Sequence, residues 1–223
     1  PYEIKAASFL APGGGIPGFL LESPGFSGTV KAGLTASSTF QLMLAQEALK
    51  DGVSAAQLAI LKEENAQQYT ELVDEVYGSF SAQFAFAAQT LVDAGDPVNY
   101  AKSLGQNTFA IHVMEVVGDD NNLSDQVVPN NTQKSYLSGT DPLIKLAGLA
   151  PTSETVMSAT GIKAVAEFTD GHHSSILTPS PAYGGSSLEN NTIVLMEMQT
   201  QLASFIGSGG TYLPIDSGSG VIK

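Results

Sequence analysis

Apolar positions in this chain switch between two spacings, and the switches mark out its elements. Residues 2–10 (YEIKAASFL) alternate and then run apolar, which predicts a strand buried on both faces, and Pro12-Gly13-Gly14-Gly15 ends it in a glycine-rich loop. Between residues 25 and 95 the spacing becomes helical. Leu42, Ala45, Ala48 and Leu49 predict one helix, stopped by Asp51-Gly52. Ser54 precedes a second, with Ala55, Leu58, Ile60 and Leu61 on its apolar side. A third carries Leu72, Val73, Val76 and Tyr77, then Phe80, Phe84, Phe86 and Leu91, and turns Glu63, Glu64, Glu71, Asp74 and Glu75 to solvent. Residues 108–117 (TFAIHVMEVV) are dense in apolar and β-branched side chains and predict a core strand ending at Gly118-Asp119. A polar loop, 119–131, follows. Residues 142–149 predict a short helix started by Asp141 with a proline in its first turn. A third strand is expected at 161–168 (GIKAVAEF), running into Thr169-Asp170-Gly171-His172-His173. The last helix is expected at 188–205, with Ile193, Met196 and Met198 apolar, and 211–223 reads as a loosely held tail.

Strands joined by helices predict a parallel sheet with covered faces, hence an α/β domain. Three such strands leave two open edges and much bare surface. Residues 1–223 are therefore expected to be one domain and the C-terminal part of a larger one, with further strands upstream. Residues 25–95 form a helical insertion in it.

Hydrophobic residues make up 43% of the chain, enough for a core. Nine basic against 22 acidic side chains give a formal net charge of −13, a surface that repels phosphate and argues against nucleic-acid binding. Cysteine is absent, which excludes disulfides, thiolate catalysis and zinc sites that need sulfur. Only 14% of residues are charged, while Ser, Thr, Asn, Gln and Gly abound, a composition expected of a secreted bacterial protein. No stretch approaches the roughly 18 apolar residues of a transmembrane segment.

Ligand sites in open α/β sheets lie at the carboxyl ends of the strands. There the second strand is followed by GDDNNLSDQVVP (118–129) and the third by GHHSSIL (171–177). An acid on one strand end and an imidazole on the next is what a Ser-His-Asp triad needs, because the acid must hold one histidine tautomer so that the other nitrogen takes the serine proton. Asp119, Asp120 and Asp125 are the candidate acids, and His172 and His173 the candidate bases. Asp125 can equally cap a turn before Val127. The Asp/Asn loop can alternatively offer oxygens to Ca²⁺, although it lacks the glycine and terminal glutamate of an EF-hand. His112, inside an apolar strand, reads as a core residue.

The Asp-x-Val-Val-Pro loop after a buried strand, about fifty residues before a strand ending in Gly-x-His, resembles the acid and histidine segments of the α/β-hydrolase fold. The flanks APGGGIPG (11–18) and SGTDPLI (138–144) are similar to a family of large secreted or surface-anchored Gram-negative lipases, often called virulence-factor lipases. The resemblance covers most of residues 2–207. It implies the C-terminal part of an α/β-hydrolase fold with a helical cap-like insertion, hydrolysis of acyl-lipid esters, Asp125 and His173 as the catalytic acid and base, no required cofactor or metal, and a secreted or outer-surface location. Phe19, Leu20 and Leu21 are then the expected apolar lining at the mouth of the site. The chain departs from the family at one point: no serine stands in a Gly-x-Ser-x-Gly elbow, and the nearest match, Gly25-Phe26-Ser27-Gly28, ends in Thr29. The nucleophile is expected on the upstream segment, which would also supply the oxyanion hole. A non-catalytic secreted binding or surface protein on the same framework is the alternative.

Overall fold

A computed structural model of the chain describes residues 3–223. Its centre is a parallel sheet of four strands in the order β1-β2-β5-β3, comprising β1 (Ala6–Leu10), β2 (Ala110–Val116), β5 (Lys163–Phe168) and the two-residue β3 (Ala150–Pro151). All seven residues of β2 are buried because both faces of the sheet are covered, so apolar residues occupy both faces of the strand rather than alternating with polar ones, His112 and Glu115 excepted. Ala110, Met114 and Val116 pack with Ala164, Ala166 and Phe168 of β5 against Val194, Met198 and Phe205 of α8 (Leu188–Gly207). Ile111 and Val113 point the other way, with Val165, toward Ile144 of α7 (Thr140–Ala147) and Leu104 of α6 (Ala101–Gln106).

β3 is missing from the sequence reading because two residues carry no period, and its proline is tolerated only because the strand lies at the sheet edge. The expected start of the first strand at Tyr2 lies outside the described residues; β1 begins at Ala6 and is half-buried at every position, as an outer strand is. The tail is not loose. Tyr212–Leu213 (β6) pairs antiparallel with Val156–Met157 (β4), Leu213, Ile215 and Val221 are buried, and Ile222 bridges to Phe168. Those apolar positions extend the core cluster beneath α8. Met196 of α8 faces solvent; Asn191 and Gln201 are buried in its place.

Between β1 and β2 run α1 (Ile16–Glu22), α2 (Ser27–Ala36), α3 (Ser38–Lys50), α4 (Ala55–Glu64) and α5 (Ala66–Val92). The insertion has a core of its own, built on Phe40, Leu44, Ala48, Leu58 and Val76 with Phe80 packed against it. The buried stripe of α3 is thus Phe40-Leu44-Ala48, while Leu42 and Leu49 face outward with Ile60. Phe84, Phe86 and Leu91 are not core either: Phe86 is 79% and Leu91 85% exposed. Among the described residues no helix is long and apolar enough to cross a membrane.

Parallel pairing turns Lys5 O and Ala11 N, which flank β1, toward β2, so by the strand's period the backbone of Ala6, Ser8 and Leu10 faces the open edge. An unpaired edge is a template for another strand. The chain alone is expected to self-associate as concentration rises, measured by light scattering; a monomer at every concentration would show that this edge is protected.

Candidate active site

The loops leaving β2 and β5 start side by side, because Val116 is in register with Phe168 and the Phe168 carbonyl accepts from both Val117 N (2.8 Å) and Gly118 N (3.2 Å). Gly118 has φ 68°, a left-handed turn that suits glycine, and Asp119 Oδ1 then accepts from Asn121 N and Asn122 N at 2.8 Å. The loop curls back until Asp125 N donates to Val116 O (3.0 Å), which sets Asp125 over the strand end. Only 1% of Asp125 is exposed. Its Oδ1 accepts from Val127 N (2.8 Å) and Val128 N (3.1 Å), and its Oδ2 lies 2.7 Å from His173 Nδ1. The turn-capping and histidine-orienting roles therefore coexist on the two oxygens of one carboxylate.

The histidine loop is held by a residue the sequence reading passed over. Asp170 is buried and accepts from Gly171 N (2.7 Å), Ser186 N (2.9 Å), Ser186 Oγ and Asn190 Nδ2 (3.1 Å). Burial alone would raise its pKa, but the hydrogen bonds from Ser186, Gly171 and Asn190 outweigh it and hold the carboxyl below its usual range. Ser175 Oγ takes His172 N (2.7 Å), tightening the turn. The available signal was the acid directly after an apolar strand and before a glycine, with Ser186 and Asn190 flanking the next helix start.

The hydrogen bond to Asp125 raises the pKa of His173; burial opposes this and the carboxylate's charge reinforces it. The contact fixes the proton of the neutral ring on Nδ1, and Nε2 has no hydrogen-bond partner among the described residues on a side chain 33% exposed. His172 has the opposite tautomer. Its Nδ1 accepts from Ser174 N (3.1 Å), so Nε2 carries the hydrogen, and burial lowers its pKa and keeps it neutral. His112 is fully buried: Gln201 donates to Glu197, leaving Gln201 Oε1 to accept from His112 Nε2–H (3.2 Å), and Ser8 Oγ reaches Nδ1 at 3.2 Å. Burial drives its pKa to about 4, against the pull of Gln201.

Of the other candidate residues, Asp119 ties its own turn and Asp120 is exposed. Among the described residues no group of three acidic or histidine side chains is arranged to hold a metal ion. Phe19, Leu20 and Leu21 lie on α1 and do not share a lining. Phe19 is buried beneath Gly13, where an added Cβ would meet Val128 at 2.7 Å and the Phe19 ring at 3.1 Å, while Leu21 lines a cavity between α1 and α5. The glycine-rich loop is thus packed directly on the acid loop. Buried Asp96 fixes it from the other side, accepting from Gly15 N (2.9 Å), Ile16 N (3.0 Å), Val98 N (3.0 Å) and Gln89 Nε2 (3.0 Å).

Asp170→Asn replaces an acceptor surrounded by donors and is expected to cost about 1–3 kcal/mol near neutrality, measured by urea unfolding. A carboxyl with a depressed folded pKa stabilises above its unfolded pKa and loses that contribution as pH falls through the folded value. The gap between wild type and variant should therefore close in acid. A gap unchanged with pH would show that the clasp does not depend on charge.

No family model, curated protein or solved structure matches the chain.

Proposed function

We propose that the chain is the acid-and-base part of a serine carboxylic ester hydrolase of the α/β-hydrolase fold, acting on acyl lipids outside a Gram-negative cell. The observation that carries this reading is the 2.7 Å contact of a buried Asp125 with His173 Nδ1, at the carboxyl edge of a parallel sheet, with Nε2 left open. The nucleophile is a serine on a segment upstream of this sequence. His173 Nε2 takes the hydroxyl proton as the serine oxygen attacks the acyl carbonyl, and Asp125 stabilises the imidazolium that forms. The imidazolium returns the proton to the leaving alcohol. Water then repeats the cycle on the acyl-enzyme. Exposed Leu42, Leu49, Ile60, Phe86 and Leu91 on the helical insertion support a cap that meets a lipid surface.

One observation favours a second, non-catalytic binding role: among the described residues no serine hydroxyl hydrogen-bonds to His173, and the one that reaches a histidine ring, half-buried Ser8, meets His112, whose ring is fully buried against α8.

Hydrolysis of a short p-nitrophenyl ester by the longer protein that carries the upstream segment separates the two. His173→Ala is expected to abolish turnover, and Asp125→Asn to lower kcat by roughly 10⁴-fold through the wrong tautomer. His172→Ala should cost little, and His112→Ala should act through stability. Because only the neutral ring accepts a proton, the rate should rise with pH through the raised pKa of His173. Wild-type rates in His173→Ala would end the hydrolase reading, and loss in Asp120→Asn but not Asp125→Asn would reassign the acid.

A further inference from the structure

Beneath the acid loop, on the α7 side of the sheet, lies a polar cavity of about 580 Å³ that the proposed hydrolysis does not use. Glu115 is part of its lining. On β2 this residue continues the inward row of Ile111 and Val113, where an aliphatic side chain would complete the core. Glu115 is instead a carboxyl only 3% exposed, and its Oε2 has no hydrogen-bond partner among the described residues. Glu167 of β5 stands beside it in register, and half-buried Asp141, whose Oδ2 already accepts from Asn131 Nδ2, reaches in from the first turn of α7. Asn130 adds a further acceptor: its Nδ2 donates to Val116 O (3.1 Å), which leaves a buried Oδ1 that also has no partner. The chain's own cations do not fill the gap. Lys223 is engaged with Glu167 at 3.0 Å, and Lys145 is exposed at the rim.

Buried acceptors without donors are costly, and here they line one space. We propose that this cavity binds a primary ammonium group, whose N–H donors are taken up by Glu115, Asp141 and Asn130. The acceptors point to N–H donors rather than to a quaternary ammonium ion, which has none and is held by aromatic faces that this lining lacks. A bare metal ion fits less well, because no three acidic side chains among the described residues are arranged to ligate one. The volume exceeds many times the roughly 30 Å³ of a water molecule, leaving room for a carbon chain behind the nitrogen.

A proton is the competing occupant. Burial first, and then the charges of Asp141 and Glu167, push the Glu115 carboxyl up to about 8 against the pull of Lys223, so a neutral Glu115 can share its hydrogen with Asp141. The ammonium group should therefore bind more tightly as pH rises through that value and displaces the proton.

Calorimetric titration of the chain with ethylamine and with 1,4-diaminobutane, at about pH 7 and about pH 9, tests this, with tetramethylammonium and calcium chloride in parallel. Saturable binding of the two amines, tighter at the higher pH, and none of tetramethylammonium is expected. Glu115→Gln should weaken amine binding by roughly tenfold to a hundredfold. Asp141→Asn should weaken it likewise and serves as the reporter if circular dichroism shows Glu115→Gln to be unfolded. Absence of amine binding at both pH values would leave the proton as sole occupant and overturn the proposal. Equal binding of tetramethylammonium, preference for calcium, or undiminished affinity in folded variants would overturn it too. The readout is binding alone, so it stands or falls separately from the hydrolase reading.

Discussion

Parallel pairing of β2 with β5 is the constraint on which the rest depends. Two neighbouring strands that run the same way must release their following loops at the same edge, and the register of Val116 with Phe168 starts those loops level with each other. The Phe168 carbonyl then binds the first amides of the loop leaving β2, so the strand ends cannot drift apart. Asp125 and His173, 48 residues apart in sequence, meet as a consequence. The same pairing needs helices on both faces, which is why β2 is buried throughout and mostly apolar, and why one carboxyl in it, Glu115, stands out.

Three buried carboxylates hold the loops above this sheet, and each is satisfied in the same way. Asp125 takes two backbone amides on one oxygen and an imidazole on the other; Asp170 ties the histidine turn to the start of α8; Asp96 pins the glycine-rich loop to the end of the helical insertion. An anion surrounded by N–H groups costs little to bury, whereas the same anion without donors costs a great deal. Glu115 is the contrast. It sits one layer below the acid loop, and Asp125 N and Asn130 Nδ2 both donate to the carbonyl of the next residue, Val116. Whatever satisfies Glu115 therefore lies against the backbone that carries the proposed triad acid.

How much of this was legible in the sequence follows from how each feature is encoded. β2 and β5 are long apolar runs bounded by glycine and stood out at once, and with them the idea that Asp125 and His173 meet. β3 is two residues and leaves no pattern. On α3 the apolar residues outnumber the places available in the small core, so spacing alone picked Leu42 and Leu49 where packing chose Phe40 and Leu44. The tail looked loose because Leu213, Ile215 and Val221 are spread among glycines and serines, although each is buried. The choice of Asp125 over Asp119 and Asp120 came from the resemblance of its Val-Val-Pro flank, since nothing in the spacing of the loop separates the three. The clasps at Asp96 and Asp170 depend on backbone amides from distant segments, which no local pattern reports.

The three histidines offer a direct test, because their surroundings demand different protonation. His112 and His172 are held with the hydrogen on Nε2, and His173 alone with it on Nδ1. Long-range ¹H–¹⁵N spectra of the imidazole rings, followed through a pH titration, read both the tautomer and the pKa of each. With the Asp125 contact in place, His173 shows the Nδ1–H form when neutral and titrates above the ordinary histidine value, while His112 stays neutral down to about pH 4. A His173 ring in the Nε2–H form, titrating at or below the ordinary value, would contradict the pairing on which the proposed chemistry stands.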